Sequence, residues 1–92
     1  MDEEPMKLVL FQMETCPFCK HFRRMFYRDF PEGEEIMLDG HEDPGWIEHS
    51  LNYVPTVIAY DDDDNEIDRL ESFKLVGIRK HRWVEWLDEI RI

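Results

Sequence analysis

Apolar and polar positions change period along this chain, and the changes mark its elements. Met6 to Met13 is apolar at almost every position over a strand's length, the pattern of a central strand covered on both faces. From Pro17 to Asp29 the spacing becomes helical. Phe18, Phe22, Met25 and Phe26, with Phe30 beyond, fall on one face, and Lys20, Arg23, Arg24 and Arg28 on the other. Pro31-Glu32-Gly33 stops this helix. Glu35 to Asp39 reads as a second, short strand. Asp43-Pro44 supplies the N-cap and first position of a helix reaching Leu51, with Trp46, Ile47 and Leu51 as its buried stripe. Val54 to Tyr60 is a third strand opened by Pro55, where a missing N–H is tolerated. After a turn at Asp61 to Asn65, Glu66 to Leu70 is a shorter strand pairing antiparallel with it. A final helix spans Arg79 to Ile90 and buries Trp83, Leu87 and Ile90, while residues 1–5 read as a frayed terminus.

The order is therefore β-α-β-α-β-β-α. A strand-helix-strand start implies a parallel pair joined by a right-handed crossover, and the later hairpin adds an antiparallel edge, which makes an α/β fold on a mixed four-stranded sheet. At 92 residues the chain forms one domain with a modest core. No apolar run approaches the roughly 20 residues of a membrane span, and the start, Met1-Asp2-Glu3-Glu4-Pro5, is acidic where a signal peptide would be basic. A monomer in the cytoplasm is expected.

Charge narrows the partners. Asp and Glu number 22 against 11 Lys and Arg, a formal net charge of −11, and the resulting field repels nucleic acid and anionic lipid. Such a surface is either a well-solvated acidic coat or an adaptation to a salty cytoplasm. Asp61 to Asp64, with Glu66 and Asp68, lack the glycine and final glutamate spacing of an EF-hand and read as a solvated hairpin tip. Trp46, Trp83 and Trp86 read as packing residues.

Candidate chemistry is concentrated in Cys16-Pro17-Phe18-Cys19, which holds the only two cysteines. A Cys-x-x-Cys that opens a helix directly after a strand sets two thiols about one turn apart, the first beside unpaired backbone N–H groups. That environment favours the thiolate, the reactive species, so Cys16 is the expected nucleophile and Cys19 its resolving partner. Pro17 fits the first helical position, where no hydrogen bond is lost. Lys20, His21, Arg23 and Arg24 either support the thiolate and attract an acidic substrate or form the wet face of the helix. A metal site would need about four ligands, and only His21 lies near the pair, with His41, His49 and His81 scattered. An iron–sulfur site shared between two chains is the remaining metal reading. Phe18, between the cysteines, is expected to be partly exposed and to offer an apolar contact to a docking substrate.

Leu8-Val9-Leu10-Phe11 leading into Cys16-Pro17-Phe18-Cys19-Lys20, then Val54-Pro55-Thr56, then Val76-Gly77 ahead of the last helix, together resemble the thioredoxin superfamily over almost the whole length. In size and motif the chain is nearer the small glutaredoxin-like members. The resemblance implies a three-layer thioredoxin-like fold and a cis peptide bond before Pro55, which faces the cysteine pair. It further implies that the backbone before Pro55 pairs with substrate, with Phe18, Val54, Thr56 and Gly77 as substrate contacts and Pro17, Lys20 and Pro55 in support. The two halves of the motif set differ. Cys-Pro-Phe-Cys is similar to the glutaredoxin form, Cys-Pro-Tyr-Cys, whereas Val-Pro-Thr is similar to the thioredoxin form of the proline loop. Leu10 stands where thioredoxins keep a buried acid, Thr15 where they have tryptophan, and Gly77-Ile78-Arg79 where glutaredoxins carry Gly-Gly and paired acids to hold glutathione. The implied activity is reduction of protein disulfides through a Cys16–Cys19 dithiol/disulfide cycle, with no other cofactor. Its partners would be disulfide-containing proteins and a reductase or small thiol that resets the pair. The alternatives are a glutathione-linked glutaredoxin and a binding module whose cysteines hold a metal or iron–sulfur cluster.

Overall fold

The computed structural model describes residues 7–72 and 77–90. The frayed terminus expected at residues 1–5, and Val76, lie outside them. The elements are β1 (Lys7–Met13), α1 (Pro17–Asp29), β2 (Glu34–Leu38), α2 (Gly45–Glu48), β3 (Thr56–Tyr60), β4 (Glu66–Glu71) and α3 (Lys80–Ile90). They build one four-stranded sheet in the order β2-β1-β3-β4, with β1 parallel to β2 and both other pairings antiparallel. This is the expected α/β architecture with a mixed sheet.

Strand β1 is central because both its faces are apolar. Alternate residues point to opposite sides. Leu8 and Leu10 enter a core with Phe22, Met25 and Phe26 of α1 and Trp83, Trp86 and Leu87 of α3, whereas Val9 and Phe11 join Leu38, Leu51 and Ile58 on the other side. The result is three layers, α1 and α3 on one face of the sheet and α2 on the other. On the two-helix face the Phe22 ring meets Trp83 edge-on at 5.1 Å, and the indole Nε1–H of Trp83 donates to Asp29 at 2.8 Å. β2 forms one outer edge of the sheet and leaves Ile36 and Met37 exposed.

The helix expected from Pro44 to Leu51 is instead a single turn, and its supposed stripe is broken. Ile47 is 86% exposed, while Leu51 is buried and Trp46 half-buried. The cause is an early stop. Ser50 takes a left-handed φ of 54°, the Leu51 N–H donates to the Trp46 carbonyl at 2.7 Å, and the Ser50 N–H to that of Ile47 at 3.1 Å. These paired bonds end a helix and bring the flanking apolar residues, here Trp46 and Leu51, together. Pro44 occupies the N-cap, not the first helical position, and the Asp43 carboxylate accepts from the N–H groups of Gly45 at 2.8 Å and Asp39 at 2.7 Å. Both bonds hold Asp43 below the usual carboxylate range, the Asp39 N–H contributing most. Asp39 is thus drawn out of β2, which ends at Leu38 opposite Met13, the last residue of β1. β3 starts at Thr56, two residues later than expected, after the cis Val54–Pro55 bond.

Candidate active site

The turn from β1 into α1 carries the two cysteines. Cys16 is the N-cap in extended conformation (φ −96°, ψ 110°), its N–H donating to the Met13 carbonyl at 3.2 Å and its carbonyl accepting from the Lys20 N–H at 3.2 Å. Pro17 is the first helical residue, as its fixed φ favours. Cys16 and Cys19 are joined in a disulfide with Cα atoms 5.2 Å apart. Two asymmetries separate them. The Cys19 N–H donates to Cys16 Sγ at 3.1 Å, so an orphan donor of the helix start is aimed at the first sulfur. Cys19 is wholly buried, whereas Cys16 keeps part of its surface open.

Across from the pair lies the cis-proline turn. Cys16 Sγ stands 4.0 Å from the Val54 carbonyl oxygen, and Pro55 is buried behind it, its own carbonyl accepting from the Ser72 N–H at 3.2 Å. Among the described residues the Val54 N–H makes no hydrogen bond. Thr56, expected as a substrate contact, turns its side chain inward. Its side chain is fully buried and its hydroxyl donates to the Tyr53 carbonyl at 2.6 Å, so it braces the turn from inside. Gly77, expected as another substrate contact, is buried and Phe18 packs against it. A Cβ there would stand 3.0 Å from Phe18 Cβ and Cδ1, and its φ of 76° suits glycine. Phe18 itself is 41% exposed and presents its ring to solvent beside Cys16.

The basic residues of α1 divide. Lys20, His21, Arg23 and Arg24 are all exposed, but Arg23 is engaged by Glu35 at 2.8 Å. The Tyr27 hydroxyl donates to the same carboxylate at 2.7 Å, and burial, then this bond, push Tyr27 up to about 12. An open groove of about 860 Å³ runs from Phe18 and His21 across to Ile78, Arg79, Lys80 and Val84 at the start of α3, with His81 at its side. The sequence reading gave Arg79 only as a replacement for a missing acid and assigned no site role to Lys80 or His81. The run Arg79-Lys80-His81 ahead of the last helix was the available signal. On the other flank a smaller cleft of about 320 Å³ lies between Glu14, Thr15 and Asp39. Among the described residues no three His, Cys, Asp or Glu side chains gather where they could hold a metal, and no helix is long and apolar enough to cross a membrane.

No protein-family model matches the sequence, and no curated protein matches it. Solved structures do. The thioredoxin of Fasciola hepatica superposes with a TM-score of 0.64 at 19% identity, over 95% of this chain and 82% of that one. Thioredoxin f2 of Chlamydomonas reinhardtii gives 0.68 at 10% identity, over 97% and 82%. A thioredoxin-fold protein of Helicobacter pylori gives 0.69 at 13% identity, over 96% and 70%. At these identities the likeness is one of fold: the chain has the thioredoxin fold.

Proposed function

We propose that the protein is a thiol–disulfide oxidoreductase that reduces disulfides of other proteins. The observation that carries this reading is the contrast within the pair: a partly exposed Cys16 whose sulfur accepts the Cys19 N–H at a helix start, and a fully buried Cys19. In the reduced protein the Cys16 thiolate attacks one sulfur of a substrate disulfide. A mixed disulfide forms, and the other substrate sulfur leaves as a thiolate and takes a proton. The Cys19 thiolate then attacks Cys16 Sγ, forming the Cys16–Cys19 bond and expelling the second substrate thiol. Two electrons have passed from the dithiol to the substrate, and an external dithiol or two small thiols restore the pair. The unpaired Val54 N–H and the Val54 carbonyl beside Cys16 suit a substrate chain laid antiparallel across the turn.

Protein disulfides are favoured over glutathione mixed disulfides, because binding energy must come from placed contacts and the backbone at Gly77 lies under Phe18. The reading is tested by insulin reduction with alternative electron donors, together with trapping. Cys19→Ser is expected to accumulate mixed disulfides detectable by mass spectrometry of non-reduced adducts, and Cys16→Ser to accumulate few. Equal trapping would remove the assignment of Cys16 as nucleophile. Colour or bound metal in the purified protein would instead favour the cluster-holding alternative.

A further inference from the structure

This chain carries twice as many acids as cations, yet several cations near the dithiol have no carboxylate partner among the described residues. Lys7 pairs with Asp64 at 3.1 Å, Arg23 with Glu35 at 2.8 Å, Arg28 with Asp29 at 3.1 Å and Arg69 with Glu66 at 2.7 Å. Among the described residues, Lys20 and Arg24 on α1, and Arg79 and Lys80 at the start of α3, have no carboxylate partner. Arg79 and Lys80 line the groove beside Phe18, and among the described residues no Asp or Glu lines it with them. The groove is also apolar: Phe18 and Val84 are 41% and 40% exposed, and Ile78 closes its floor. A surface that is acidic elsewhere thus has a cationic, apolar trough that reaches Phe18, two positions after Cys16.

We propose that this trough docks an acidic, extended segment of the partner protein, its carboxylates on Arg79 and Lys80 and an apolar side chain on Phe18 and Val84, so that the partner's disulfide rests over Cys16. The proposal deepens the reading of the chain as a protein-disulfide reductase and rests on it. A segment fits better than a small anion. The trough is open, at about 860 Å³, and Phe18, Ile78 and Val84 make part of its lining apolar, whereas a small anion is held by an enclosed set of polar groups. At physiological salt charges more than about 8 Å apart are largely screened, so the general acidic field fades while contacts within the trough persist. The groove then selects acidic partners in spite of the protein's net charge.

The test uses two peptides with the same intramolecular disulfide and one apolar residue, one flanked by Asp and Glu and the other by Lys and Arg. At about 0.15 M salt, where the general field is screened, the acidic peptide is expected to be reduced about tenfold faster, within the range that local charge adds to association rates, and the ratio should shrink at about 0.5 M. Arg79→Glu with Lys80→Glu is expected to invert the ratio. Acids in the first turn of a helix are favourable there, so the variant should fold. Arg79→Gln with Lys80→Gln, which reverses no charge, should bring the ratio near one. Binding of the same peptides, labelled for fluorescence anisotropy, to the Cys16→Ser, Cys19→Ser protein reads the groove without its chemistry. Acidic preference in binding with no turnover of either peptide would overturn the reductase reading and keep the groove. Equal rates and equal binding for the two peptides would overturn the proposal. So would glutathione disulfide being reduced as fast as the acidic peptide and competing with it, which would assign the cations to a small anion.

Discussion

The two faces of the sheet are built on different physics. On the face covered by α1 and α3, large rings interlock: Phe22, Phe26, Trp83 and Trp86 pack with centroids 5.1 to 6.3 Å apart over Leu8, Leu10 and Val57. On the other face α2 is one turn long, and the apolar cluster is smaller. There polar groups hold the chain. Arg69 donates to the carbonyls of His49 at 2.9 Å and Ser50 at 3.0 Å while gripping Glu66 at 2.7 Å through two nitrogens, and Asp43 fixes the turn before α2. Buried area stabilises one face, and directed hydrogen bonds to otherwise open carbonyls stabilise the other. The cysteine pair sits at the end of the first face, where α1 begins.

This contrast can be broken most forcefully at Trp83. Trp83→Ala removes a wholly buried indole and its bond to Asp29, and should cost about 3–5 kcal/mol in urea denaturation. A cost below that of any polar change on the other face would abolish the distinction. Arg69→Met comes next. It keeps the apolar stem but leaves two carbonyls without their donor, with an expected loss of about 1–3 kcal/mol. No loss would mean that water replaces the guanidinium.

The smallest effect is expected at Asp43→Ala, read as a lowered melting midpoint at neutral pH. Its sign with pH is fixed by linkage. The folded carboxyl is held below its unfolded value, so its stabilisation is present above an unfolded pKa of about 3.9 and lost as pH falls through the folded one. The gap between wild type and variant should close in acid. A gap independent of pH would show that the Asp43 charge is irrelevant to the turn.

The first face was legible in the sequence, and the second was not. The bounds of α1, Pro17–Asp29, follow from a proline suited to its first position and an apolar stripe at 3.6-residue spacing. β1 declared itself by being apolar on both faces. The stop of α2 carries no such mark, because a serine rather than glycine takes the left-handed position, so Ile47 was assigned inward by periodicity alone. In the site, Cys16 and Cys19 were readable from their local motif, and the cis bond before Pro55 came only through the family resemblance. The inward turn of Thr56 and the cover of Phe18 over Gly77 depend on packing across the sheet's end. Which cations remain unpaired depends on tertiary ion pairs such as Arg23 with Glu35, and no local pattern announces that.

The outer edge of β2 gives the acidic composition a colloidal meaning. A five-residue strand with β1 as its one partner among the described strands, displaying Ile36 and Met37, is a template on which a second copy could add its own edge. Glu34 and Glu35 open that strand, and mutual repulsion between copies that each carry a net −11 opposes the approach. Solubility is therefore conditional on ionised carboxylates. As acid neutralises them, light scattering should reveal association nucleated at this edge before the fold itself is lost.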